Sequence, residues 1–115
     1  MSEPQEAVAA HEPAVEVPVA EIGEILQALS DPIRLSIVRS VAGSDAEVGC
    51  GAFELGVSKP TLTHHFRVLK EAGLIGARWE GTRKFIHLRR AAIEEAYPGL
   101  IDSVLQDRRS VTDAR

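Results

Sequence analysis

Ser58, Lys59, Thr61, Thr63, His64 and Arg67 fall within ten residues, and no carboxylate interrupts them. Hydroxyls, an ammonium, a guanidinium and an imidazole in one short run can neutralise phosphate and reach the donors and acceptors on base edges. Arg83 and Lys84 form a second basic pair about one element further on. Other chemistries find less support. The acids are scattered, and Ser, His and Asp show no triad context, so the converging titratable groups an enzyme needs are missing and no catalytic residue is expected. Cys50 is the only cysteine. It excludes an intrachain disulfide framework and cannot alone build a Cys-rich metal site. Beside a short helix N-terminus it is a candidate redox or electrophile sensor, although a free cysteine more ordinarily serves as a small buried hydrophobe.

These side chains need a scaffold, and the order of apolar residues supplies one. After Pro4, Pro13 and Pro18 the pattern changes: from about Val19 to Leu29, the residues Ile22, Ile25, Leu26 and Leu29 recur at helical spacing. Ser30-Asp31-Pro32 breaks that helix. Either Ser30 or Asp31 can cap the next one, about Ile33 to Ala42, with Pro32 tolerated in its first turn. Val48 to Leu55 reads as a short third helix with Phe53 and Leu55 as its apolar contributors. Gly56-Val57-Ser58 then forms a turn, with Gly56 as the left-handed residue and Ser58 as N-cap of a fourth helix, about Lys59 to Ala72. That helix directs Leu62, Phe66 and Leu69 inward, with His65 and Ala72 beside them.

Two helices joined by a glycine-containing turn can insert the second into the major groove by its N-terminal end. Leu74 to Glu80 and Thr82 to Leu88, around Gly81, read as a twisted hairpin with Ile75, Ala77 and Trp79 on one side. On the returning strand either Phe85 with His87 or Ile86 with Leu88 shares a face. Arg78, Arg83 and Lys84 make the hairpin a basic wing able to lie along phosphates or enter the minor groove. Trp79 is expected to pack against the fourth helix, His87 to be a strand residue, and Arg89 and Arg90 could serve either DNA or the fold. Ala91 to Ala96 begins a last helix, interrupted at Pro98-Gly99 and resumed through Leu100, Ile101, Val104 and Leu105. The fold class is therefore mostly α with a small β-hairpin wing, a winged helix-turn-helix. Its parts are a disordered acidic tail (1–18), a DNA-binding and dimerisation domain (19–108) and a frayed end (109–115).

Charge agrees once it is divided along the chain. The formal net charge is −4 over 115 residues, but residues 1–24 carry six acids and no Lys or Arg. Residues 56–90 hold eight basic side chains against two acidic ones, a net +6 that suits phosphates. No apolar run approaches the length of a membrane span and the N-terminus lacks the basic start of a secretory signal, so a cytoplasmic protein without a membrane partner is expected.

Three runs of residues resemble the ArsR/SmtB family of winged-helix repressors: Ala28-Leu29-Ser30-Asp31-Pro32-Ile33-Arg34-Leu35, Leu55 through Ile75 (LGVSKPTLTHHFRVLKEAGLI), and Glu80-Gly81-Thr82-Arg83. The likeness extends from about Val19 to Leu105. It implies a homodimer, joined through the first and last helices, that binds an imperfect palindrome in double-stranded DNA and represses transcription until an effector arrives. Matched position by position, Ser58, Lys59, Thr61, Thr63, His64 and Arg67 become the DNA-facing candidates, with Arg83 at the wing. Many members of that family sense metals through a Cys-x-Cys pair or through Asp and His on the last helix. Here Glu47-Val48-Gly49-Cys50-Gly51-Ala52 holds one cysteine and no histidine follows His87. No metal ligand set and no cofactor is therefore expected, and the effector is unknown. The competing reading is a winged helix that meets an acidic protein surface; steep salt dependence of operator binding separates the two.

Overall fold

The computed structural model describes residues 17–43, 47–49 and 56–106. Its elements run α1 (Ile22–Leu29), α2 (Pro32–Ala42), β1 (Val48–Gly49), α3 (Lys59–Glu71), β2 (Ile75–Glu80), β3 (Arg83–Leu88), α4 (Arg90–Ala96) and α5 (Leu100–Leu105). Most of the expected tail (1–18), the expected frayed end (109–115), Cys50 and the rest of the expected third helix to Leu55 lie outside the described residues.

Local chemistry explains the helix starts. Asp31, not Ser30, caps α2: its Oδ2 accepts from the amides of Ile33 at 2.8 Å and Arg34 at 3.0 Å, while Pro32 occupies a position where a missing amide hydrogen costs nothing. Ser58 caps α3 by accepting from the Thr61 amide at 3.3 Å, with Pro60 again in the first turn. Gly56 adopts φ +73° just before it, as the turn requires.

One core joins the helices to the sheet. Ile25, Ala28 and Leu29 of α1 meet Ile37, Val38 and Val41 of α2, Phe66 and Leu69 of α3, and Ile93 and Ile101 of the last two helices. The sheet contributes Ile75, Ala77 and Ile86 to the same cluster, which leaves Ile86 and Leu88, rather than Phe85 and His87, on the inner face.

Two expectations change. Val48-Gly49 does not begin a helix; it forms β1, an antiparallel edge strand paired Val48 to Ile86 and Gly49 to Phe85. Glycine on both sides of Cys50 removes helix propensity there, and β3 offers an unpaired edge. The sheet thus has three strands in the order β1-β3-β2. Trp79, expected against the recognition helix, is 41% exposed, because the inner row of β2 continues past the last residue that the helices cover.

The segment before α1 is held by side chains and backbone far along the chain. Ala20 N donates to Ala72 O at 3.0 Å, the Tyr97 hydroxyl donates to Ala20 O at 2.7 Å, and Arg89 Nη1 donates to both Val17 O and Gly73 O. Gly73, at φ +81°, leaves Pro18 and Val19 room to lie against the turn that ends α3.

Candidate nucleic-acid interface

α3 presents two faces. His65, Phe66 and Leu69 are buried, while Ser58, Lys59, Thr61, Thr63, His64 and Arg67 are all exposed. Ser58 and Thr61 are also joined side chain to side chain, Oγ to Oγ1 at 3.0 Å, so both hydroxyls are oriented at the helix start. The first acid on this helix is Glu71, in its final turn. Free amides and the positive end of the helix dipole add to the charge of Lys59 and Arg67 there. His64 stands at the side of this group rather than its centre. It borders a cleft of about 260 Å³ between α1 and α3, with Glu24, Gln27, Arg34, Val68 and Glu71 around it.

α3 is held in place by a network of charged side chains. Arg34 Nε donates to Ala28 O at 2.7 Å, at the end of α1, and Arg34 Nη1 lies 3.1 Å from His65 Nδ1. A guanidinium can only donate, so Nδ1 accepts and the imidazole carries its proton on Nε2. Asp31 Oδ2 is 3.9 Å from the same ring nitrogen. The hydrogen bond from the Arg34 amide, the largest influence, together with that from Ile33, holds the Asp31 carboxyl below its ordinary pKa in spite of partial burial. Asp31, Arg34 and His65 thus tie the ends of α1 and α2 to the middle of the recognition helix. The signal was present as Asp-Pro-x-Arg, but its partner lies 31 residues away from Arg34.

The basic wing is smaller than composition suggests. Arg78 is half-buried and paired with Glu47, Nε to Oε1 at 2.7 Å and to Oε2 at 2.9 Å, with Glu80 at 3.6 Å; the bond to Glu47 raises its pKa further and keeps it charged but compensated. Arg89 is bound to carbonyls, and Arg90 Nη2 donates to Ala42 O at 3.1 Å. The cations left at the hairpin are Arg83, exposed, and Lys84, half-buried. Alternation places them on opposite faces: the Arg83 guanidinium lies over Phe85 at 5.3 Å, and the Lys84 ammonium over Trp79 at 5.6 Å. His87 lies on β3 as expected, its ring resting on Gly76, where an added Cβ would come within 2.6 Å of it.

No group of three or more His, Cys, Asp or Glu side chains arranged to hold a metal occurs among the described residues. Nor is any described helix long and apolar enough to cross a membrane. A capped helix with a polar, cation-bearing outer face, set beside a three-stranded sheet with a projecting hairpin, defines a winged helix-turn-helix.

Comparison with known proteins makes the class specific. The model of the bacterial regulatory protein, arsR family, matches residues 31–76. The chain is 34% identical over 83 residues to an uncharacterized HTH-type transcriptional regulator of Bacillus subtilis, YceK, across 70% of this chain and 83% of that one. It is 25% identical over 83 residues to the transcriptional repressor SdpR of the same organism, across 72% and 92% of the two chains. In fold it resembles the crystal structure of Mycobacterium tuberculosis Rv0081, with a TM-score of 0.57 at 20% identity over 98% of this chain and 93% of that one. The chain belongs to the ArsR family of helix-turn-helix regulators, and is a DNA-binding transcriptional regulator rather than an enzyme.

Proposed function

We propose that this protein is a cytoplasmic repressor that binds a palindromic operator as a homodimer, reading the major groove with the N-terminal half of α3. The observation that carries the reading is the exposed, acid-free run Ser58, Lys59, Thr61, Thr63, His64 and Arg67 on a helix whose start is fixed by the Ser58 cap. Arg83 and Lys84 serve phosphates at the wing. Two such helices one turn of duplex apart require two copies of the chain. A dimer contact through α1 and α5 accounts for Ile22, 45% exposed, Leu26, 56% exposed, and Leu105, 38% exposed, large apolar side chains that the described residues cover only in part. Cys50 keeps its alternative as a redox trigger; the effector is otherwise unassigned.

The test begins with selection of genomic fragments by the purified protein and titration of the recovered duplex at several salt concentrations. Wild type binds it with a steep negative salt slope, and Arg67→Ala weakens binding and lowers that slope by about one counterion. Unchanged affinity in Arg67→Ala removes Arg67 from the interface. Failure to retain any fragment at any salt would favour a protein-interaction module instead.

A further inference from the structure

The inner row of the wing runs Ile75, Ala77, Trp79 on β2, facing Leu88, Ile86 and Lys84 on β3. Ile75, Ala77 and Ile86 are buried in the same cluster as Phe66 and Leu69, so this row faces the side of the sheet on which the recognition helix packs. Its third member escapes that cover. Trp79, the only tryptophan in the chain, stands 41% exposed, with the Lys84 ammonium 5.6 Å from its ring centroid. The outer face of the hairpin is arranged differently. There the aromatic ring is Phe85, half-buried and covered by the guanidiniums of Arg78 at 5.0 Å and Arg83 at 5.3 Å. One aromatic is thus shielded by two cations, while the other overhangs on the side of α3.

We propose that Trp79 is the wing's principal non-ionic DNA contact. Its indole packs against the deoxyribose edge of the minor groove, and Lys84, laid over the ring, pairs with a flanking phosphate. The proposal rests on the DNA-binding reading above and adds a residue to it. Charge selects the occupant. The ring is bordered by the Lys84 ammonium on a hairpin that also carries the exposed Arg83, a setting that fits a polyanion with apolar sugar edges better than an apolar protein surface. An exposed indole on a cation-bearing hairpin can fill that groove wall, as apolar side chains of minor-groove binders do. Arg83, stacked on Phe85 across the hairpin, is then confined to the phosphates outside the groove.

Because Trp79 is the only tryptophan, the intact wild-type chain reports on it directly. Acrylamide quenching of its fluorescence is measured free and with saturating duplex, both the genomic fragment recovered by selection and a mixed-sequence duplex of about three helical turns at low salt. Protection of Trp79 by several-fold in the complex, independent of protein concentration in the free state, is the expected result. Trp79→Ala raises Kd about tenfold with an unchanged salt slope, and Trp79→Phe recovers most of it. Duplex binding that leaves Trp79 as accessible as before overturns this inference and spares the DNA-binding reading. Protection that already appears without DNA as protein concentration rises assigns the indole to a second copy and also overturns it. No duplex binding by wild type overturns both readings together.

Discussion

Gly73→Ala provides a severe test of how the chain's front end is attached. A residue with a Cβ at φ +81° costs about 1 kcal/mol for the left-handed conformation alone. The new Cβ would also stand 2.5 Å from Pro18 O, 2.8 Å from Val19 Cα and 2.9 Å from Pro18 C. All three are backbone atoms, so no rotamer change relieves the overlap and the segment must lift away. Lifting it loses the bonds from Ala20 N to Ala72 O and from Arg89 to Val17 O, at about 1 kcal/mol each. The total is about 3 kcal/mol. Gly56→Ala supplies the control, because Gly56 has φ +73° and nothing within 4 Å of its added Cβ; it should cost about 1 kcal/mol. Urea unfolding at fixed protein concentration should separate the variants by about 2 kcal/mol, and thermal midpoints by roughly 8–16 °C. Removing the first 19 residues should abolish the difference, since the overlapping atoms go with them. The reasoning fails if Gly73→Ala matches Gly56→Ala in the full chain, or if the gap persists after truncation.

Other expectations follow from the network beneath α3. Arg34→Ala strips donors from Ala28 O and His65 Nδ1 and should lower unfolding free energy by about 2 kcal/mol, with Arg34→Lys restoring less than half of it in urea titrations. The Asp31 carboxyl titrates lower in the folded chain than its ordinary value of 3.8. Its contribution is therefore complete above that value and is lost as pH falls through the lowered folded value. Asp31→Asn keeps a capping oxygen, so wild type should lose stability below about pH 4 that this variant does not, in thermal melts across acid pH. These add to the Arg67 and Trp79 measurements, which read binding rather than stability.

Signals carried within a few residues were legible beforehand. A cap at Ser30 or Asp31 before Pro32, Ser58 before Pro60, the hairpin about Gly81 and the break at Pro98-Gly99 each depend on backbone chemistry that neighbouring residue types decide. So was the division of α3 into an apolar stripe and a polar face. What stayed hidden depends on partners far along the chain. β1 is two residues long, and its reason for existing is the edge of β3, which no local pattern at Val48-Gly49 reveals. Alternation gave the side of the sheet that Trp79 occupies, yet not where the helical cover stops. Arg78, grouped by its neighbours with the basic wing, is paired with Glu47, and Arg89 and Arg90, left open between DNA and the fold, bind backbone carbonyls, since a guanidinium's partner is settled by the fold and not by its neighbours in sequence.

The three bonds around residues 17–20 also bear on how the chain is made. Val17 is fastened to a side chain 72 residues later and Ala20 to one 77 residues later, while Arg39 Nε reaches Val104 O across 65. Closures of that span form late and slow a fold relative to one built from neighbours. During synthesis the start of the chain emerges first but finds its seat only after Arg89 and Tyr97 have left the ribosome. The segment at residues 17–20 must therefore wait for Arg89 and Tyr97, although α1 behind it already has α2 to pack against.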